Sequence, residues 1–65
     1  SNVDVKEPPV VAPPKAVAEI RVSVVFNRVS SGVYMETQED VSSFIEALKD
    51  ELEAAIKQEK RVRIR

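Results

Sequence analysis

Residues 37–59, TQEDVSSFIEALKDELEAAIKQE, decide the fold. Thr37 followed three residues later by Asp40 is close to the Ser/Thr-x-x-Glu capping box, and Glu36, Glu39 and Asp40 place negative charge at the positive end of a helix dipole. Val41, Phe44, Ile45, Leu48, Leu52, Ala55 and Ile56 then recur at spacings of three and four, with Ser42, Glu46, Lys49, Asp50, Glu53 and Lys57 between them. This predicts a long helix with one face for burial and one for water, ending near Gln58 or Glu59.

On either side of that helix the period changes to two. Downstream, Lys60-Arg61-Val62-Arg63-Ile64-Arg65 sets Val62 and Ile64 on one side and arginines on the other, which predicts a C-terminal strand. Upstream, residues 17–29, VAEIRVSVVFNRV, set Ile20, Val22, Val24 and Phe26 against Glu19, Arg21, Ser23, Val25 and Asn27. Alternation of β-branched residues predicts a first strand with one buried face, and Val17, Val25 and Val29 on the other side hint at a partial cover there. Ser30-Ser31-Gly32, holding the one glycine of the chain, supplies a turn before Val33-Tyr34-Met35. Tyr34 and Met35 are expected to pack as a hydrophobic staple on the first helical turn near Val41.

Strand, long helix, strand is a small βαβ unit of the α+β or α/β class, with the two strands parallel in one sheet. It occupies residues 17–65. Residues 1–16, SNVDVKEPPVVAPPKA, hold all four prolines as two pairs and read as an extended linker or an appended tail. A ligand for SH3-like domains is the lesser reading, because the pairs lack a flanking basic anchor. The opening Ser1-Asn2, without an initiating Met, leads us to expect a piece of a longer protein.

Composition narrows the function. Among 65 residues there is no Cys and no His, which excludes disulfides and thiolate metal sites and removes the commonest metal ligand and acid/base catalyst. The acidic helix residues Glu36, Glu39, Asp40, Glu46, Asp50, Glu51, Glu53 and Glu59 read as a solvated face, since an exposed helix offers no cleft for general acid/base or cation chemistry. No nucleophile with a neighbouring base and no phosphate-binding glycine loop is found. The expectation is therefore no enzyme, no cofactor, no metal and no small-molecule substrate. Ten basic against eleven acidic residues give a net charge of −1, so the chain as a whole has no strong attraction to nucleic acid or membrane. The apolar runs fall far short of the roughly 20 residues that cross a bilayer, which points to a cytoplasmic protein.

A chain this small with two open sheet edges needs a partner. We therefore expect a homodimer, or docking onto another protein subunit, with Ile20, Val22, Val24, Val25 and Phe26 at the interface. The first strand, longer and more apolar, would lie at the centre of a four-stranded sheet, antiparallel to its copy around Ser23 and Val24. The Arg-rich strand would lie at the edge. The alternative is a nucleic-acid contact through Arg21, Arg61, Arg63 and Arg65 on one sheet face. Against it, alternating arginine also protects an exposed edge, Glu19 offers a cross-strand counter-charge, and no aromatic residue stands between the arginines to stack bases.

From Tyr34 to Arg65 the chain resembles the extreme C-terminus of large bacterial P-loop ATPases of the BREX phage-defence type. The resemblance rests on E-T-x-E-D-V at Glu36–Val41, the leucine-spaced helix, and K-R-x-R-I at Lys60–Ile64. It implies a terminal accessory domain for self-association or docking, with ATPase activity lying upstream and no ATP-binding residue in this chain. One departure is Glu59, where glycine is expected to end the helix and another residue to distort or lengthen the turn.

Overall fold

A computed structural model describes residues 13–65. Most of the proline-rich segment, residues 1–12, lies outside the described residues, and residues 13–16 have no regular structure. The fold is a small α+β unit in the order β1 (Val17–Ile20), α1 (Val22–Val29), α2 (Gln38–Lys57), β2 (Arg61–Ile64). The two strands pair in parallel, Val17 opposite Arg61 through Ile20 opposite Ile64.

The first apolar run departs from the expectation. Only Val17–Ile20 is strand, and Val22–Val29 is helix. Both periods fit the sequence VSVVFNRV. At helical spacing, however, Val22, Val25, Phe26 and Val29 fall at i, i+3, i+4 and i+7, one continuous face, whereas alternation would split Val25 from Val24 and Phe26. The β ladder closes where Arg65 N–H donates to Ile20 C=O at 3.0 Å and Val22 N–H donates to Arg65 C=O at 3.0 Å. Beyond it, Val24 and Val25 donate to Arg21 C=O at 3.0 and 3.1 Å, so the next backbone donors are satisfied by a helical turn. Turning the run into a helix folds Val25 back over the sheet as the most buried large side chain, 2% exposed. Burial overrides the modest helix aversion of valine.

The core is formed by Ile20, Val25 and Phe44, with Val22, Phe26, Ala47, Leu48, Leu52 and Val62 packed around it. Phe26 meets Phe44 edge to face, ring centroids 5.8 Å apart. The expected staple does not seal the loop: Tyr34 is 74% exposed and stays in solvent.

At α2 the local chemistry is as anticipated. Thr37 Oγ1 accepts from Asp40 N–H at 3.0 Å, and Asp40 Oδ2 accepts from Glu36 and Thr37 N–H at 2.9 and 3.0 Å, a complete capping box. These two backbone donors, Glu36 first and Thr37 second, hold the Asp40 carboxyl below its ordinary value of 3.8. At the other end Glu59 takes the left-handed conformation, φ 58°, and the turn is not lengthened. Glu59 N–H donates to Ile56 C=O at 2.9 Å and Lys60 N–H to Ala55 C=O at 3.0 Å, the paired bonds of a Schellman ending. Lys60 thus leaves the helix aimed directly into β2.

Candidate interaction surfaces

The sheet has two faces, and among the described residues only the inner one is covered. Ala18, Ile20 and Val62 turn toward the helices, while Val17, Glu19, Arg61 and Arg63 stand exposed on the outer face. The bonds that bracket Arg65 set it beside Arg21, so all four predicted arginines share that outer face. Glu19 is the one carboxylate there among the described residues. It lies opposite Arg63, and its Oε1 accepts from Arg65 Nη1 diagonally at 3.2 Å. Both side chains are about half exposed, so the pair contributes little to stability.

Around α2 the two flanks differ. Arg28 of α1 is ion-paired with Glu51. Val29 lies with Ser42, Ser43, Glu46, Ala47 and Asp50. Ala18, Glu19 and Ile20 of β1 form an open groove with Asp50, Glu51, Ala54 and Gln58. α1 and β1 therefore both sit against the flank of α2 that carries Ala47, Glu51 and Ala54. On the opposite flank, beside β2, run Val41, Ile45, Leu52 and Ile56, a stripe turned roughly 60–120° from Phe44 around the helix axis at ~100° per residue. Ile45 is 52% and Ile56 62% exposed, and Ile64 on the adjoining strand is 58% exposed. The edge of β2 next to this stripe is also free among the described residues, since the sheet contains β1 and β2 alone.

Of the five residues expected at a dimer interface, Ile20 and Val25 lie in the core of the single subunit, and Val22 and Phe26 pack against it. Val24 stays on the surface. None of the four in α1 belongs to a strand. The reason for putting the first strand at the centre, its greater length, does not hold either: each strand has four residues. The sequence treated Val41, Ile45, Leu52 and Ile56 as part of one buried face. The missed signal was width, because the apolar arc from Phe44 to Ile56 spans about 120°, more than one short helix and two short strands can cover.

Among the described residues no three carboxylates converge as a metal site, and no helix is long and apolar enough to cross a membrane. Asp40 and Glu51 of the acidic set serve the helix cap and the pair with Arg28. The chain matches no protein-family model, no curated protein and no solved structure.

Proposed function

We propose that residues 17–65 are a non-catalytic protein-interaction domain that self-associates through the open flank of α2 and the free edge of β2. The observation that carries this reading is the apolar flank of α2, where Val41, Ile45 and Ile56 stand exposed on either side of the core-packed Leu52, with Ile64 exposed on β2 and the isoleucines half or more exposed. Scattered surface aliphatics need no explanation, but several along one flank do.

The length of the stripe favours a second copy as the occupant. From Val41 to Ile56 it runs about 22 Å along the helix, whereas a four-residue strand spans about 13 Å. A cover of matching length is another α2. A two-fold axis through Arg63 makes β2 antiparallel to its copy, and it is consistent with the backbone: the N–H groups of Arg61 and Arg65 already face β1, so those of Val62 and Ile64 face outward. Val62 then pairs with Ile64 of the second copy beneath the two helices. The order becomes β1, β2, β2 of the copy, β1 of the copy. On the outer face this register sets Arg61 opposite the Arg65 of the copy and the two Arg63 side chains together. Three exposed like-charge oppositions cost roughly 0.2–1 kcal/mol each. Completing the burial of Val41, Ile45, Ile56 and Ile64, 39–62% exposed, on each copy contributes about 1 kcal/mol apiece, so the apolar gain exceeds the repulsion several-fold. As a tethered accessory domain of a larger cytoplasmic bacterial protein, such as the phage-defence ATPases its second half resembles, the unit would join subunits without taking part in the chemistry.

Sedimentation equilibrium of the chain from micromolar concentration upward is the test. A monomer–dimer equilibrium is expected, abolished by Ile45→Glu or Ile56→Glu while the far-ultraviolet circular dichroism of the monomer is kept, because both side chains already meet water. A compact monomer at every concentration sinks the proposal.

A further inference from the structure

The dimer just described would join two arginine faces into one, and we infer that this joined face binds the phosphate backbone of nucleic acid, with binding and self-association linked. The inference rests on the self-association reading. Each copy contributes Arg21, Arg61, Arg63 and Arg65 and, among the described side chains, a single carboxylate, Glu19, which is already held by Arg65. Along β2 the arginines recur every second residue, about 6.7 Å apart, and the two β2 strands of the dimer would lie about 4.8 Å apart. Six arginines then fill a patch roughly 13 Å long at the centre of a four-stranded sheet, with an Arg21 on each side.

Among the described residues this patch has no hydrophobic cover and no aromatic residue. Val17 and Glu19 are its other members on β1, and the two phenylalanines pack edge to face on the inner side. A face without stacking groups does not read bases, whereas guanidinium forks match phosphate oxygens. A monomer offers half the patch, so the dimer gains the stronger site. The arginines that face one another across the two-fold axis oppose association without preventing it, and an anion lying over them relieves that opposition. A polyanion therefore tightens the dimer, and the dimer tightens polyanion binding by the same factor.

The two equilibria are expected to respond to salt with opposite sign. For the protein alone, raising NaCl screens the facing arginines and strengthens self-association. For a fluorescently labelled DNA duplex of about 20 base pairs, followed by anisotropy, affinity should fall about 10³-fold between ~50 and ~200 mM salt if some six phosphates are contacted. Ile45→Glu, which keeps every arginine, should bind the duplex at least tenfold more weakly. The double variant Arg61→Gln, Arg63→Gln, changed only at exposed positions, should lose duplex binding and self-associate more tightly than the parent at low salt. It keeps the test decisive if Ile45→Glu fails to fold. A dimer in sedimentation that binds no duplex at ~50 mM salt overturns this inference and leaves the self-association reading standing. Duplex binding by a folded Ile45→Glu equal to that of the parent also overturns it. A monomer at every concentration, with or without duplex, overturns both.

Discussion

The two helices are built from similar residues and owe their existence to different causes. α2 is marked at both ends by local chemistry, the Thr37–Asp40 box at its start and the left-handed Glu59 at its close. α1 has neither: Arg21 at its N-cap makes no side-chain bond, its first turn holds no acidic residue, and it is only eight residues long. A helix of that length is not stable by itself, so α1 exists because Val25 and Phe26 have α2 and the sheet to pack against. The apolar surfaces divide the same way. α1 turns its valine and phenylalanine face into the core, while α2 carries more apolar surface than the described residues cover. The helix marked by its own end signals is the one with apolar surface left for a partner.

The contact between the helices is what α1 depends on most. Phe44→Ala removes the ring that meets Phe26 and should cost about 3–5 kcal/mol in urea unfolding at concentrations too low for association. In native-state hydrogen exchange, the amides of Val25–Val29 should lose protection before those of Phe44–Ala55. Equal loss in both helices would show that α1 is as self-sufficient as α2. By contrast, Ile56→Ala on the open flank should change the stability of the monomer by no more than about 0.5 kcal/mol.

The caps sharpen the other half. Thr37→Ala should cost about 1 kcal/mol, read by chemical denaturation. Asp40 accepts two backbone N–H bonds in its charged form, so its folded pKa lies below its unfolded one. Its contribution is therefore present above about pH 3.8 and disappears as pH falls through the lower, folded value. A pH series of unfolding midpoints should show this acid-side loss, and Asp40→Asn should remove that part of the dependence. At the far end, Glu59→Gly relieves a left-handed residue, worth roughly 1–2 kcal/mol, against the greater freedom of glycine in the unfolded chain. A net gain of about 0.5–1 kcal/mol is expected. A loss would mean that the Glu59 side chain has a stabilising role of its own.

These ends explain what the sequence made legible. Caps are read from three or four neighbouring residues, so the start of α2 at Thr37, its end at Glu59 and the strand after it were recoverable, and with them the parallel pairing of β1 and β2. The outer face of arginines was legible for the same reason, since alternation in Arg61–Arg65 survives whatever packs behind it. Val22–Val29 was not, because valine and phenylalanine satisfy both periods and the deciding term is burial against Phe44, about 20 residues away in the chain and invisible to any local window. The interaction surface was hidden by a different ambiguity. A helical stripe announces that it will be buried, but whether by its own chain or by another depends on how many elements the fold places around it.

The smallest effect goes straight to the element the sequence misread. Asn27 is exposed in α1, carries no packing, and lies between Phe26, packed on the core, and Arg28, paired with Glu51. In a helix interior, alanine is better than asparagine by roughly 0.5 kcal/mol, because asparagine bonds to nearby backbone in non-helical conformations. In a strand the two are similarly unfavourable, and the exchange would be close to neutral. Asn27→Ala should therefore raise the urea midpoint of the chain with an unchanged m-value, by an amount equivalent to about 0.5 kcal/mol. The same exchange made in Phe44→Ala, where α1 is expected to be loosened first, should give a smaller gain, since propensity counts only while the helix is formed. Equal gains in both backgrounds would show that α1 stands without Phe44, and the contrast between a helix made by its neighbours and one made by its own sequence would fail.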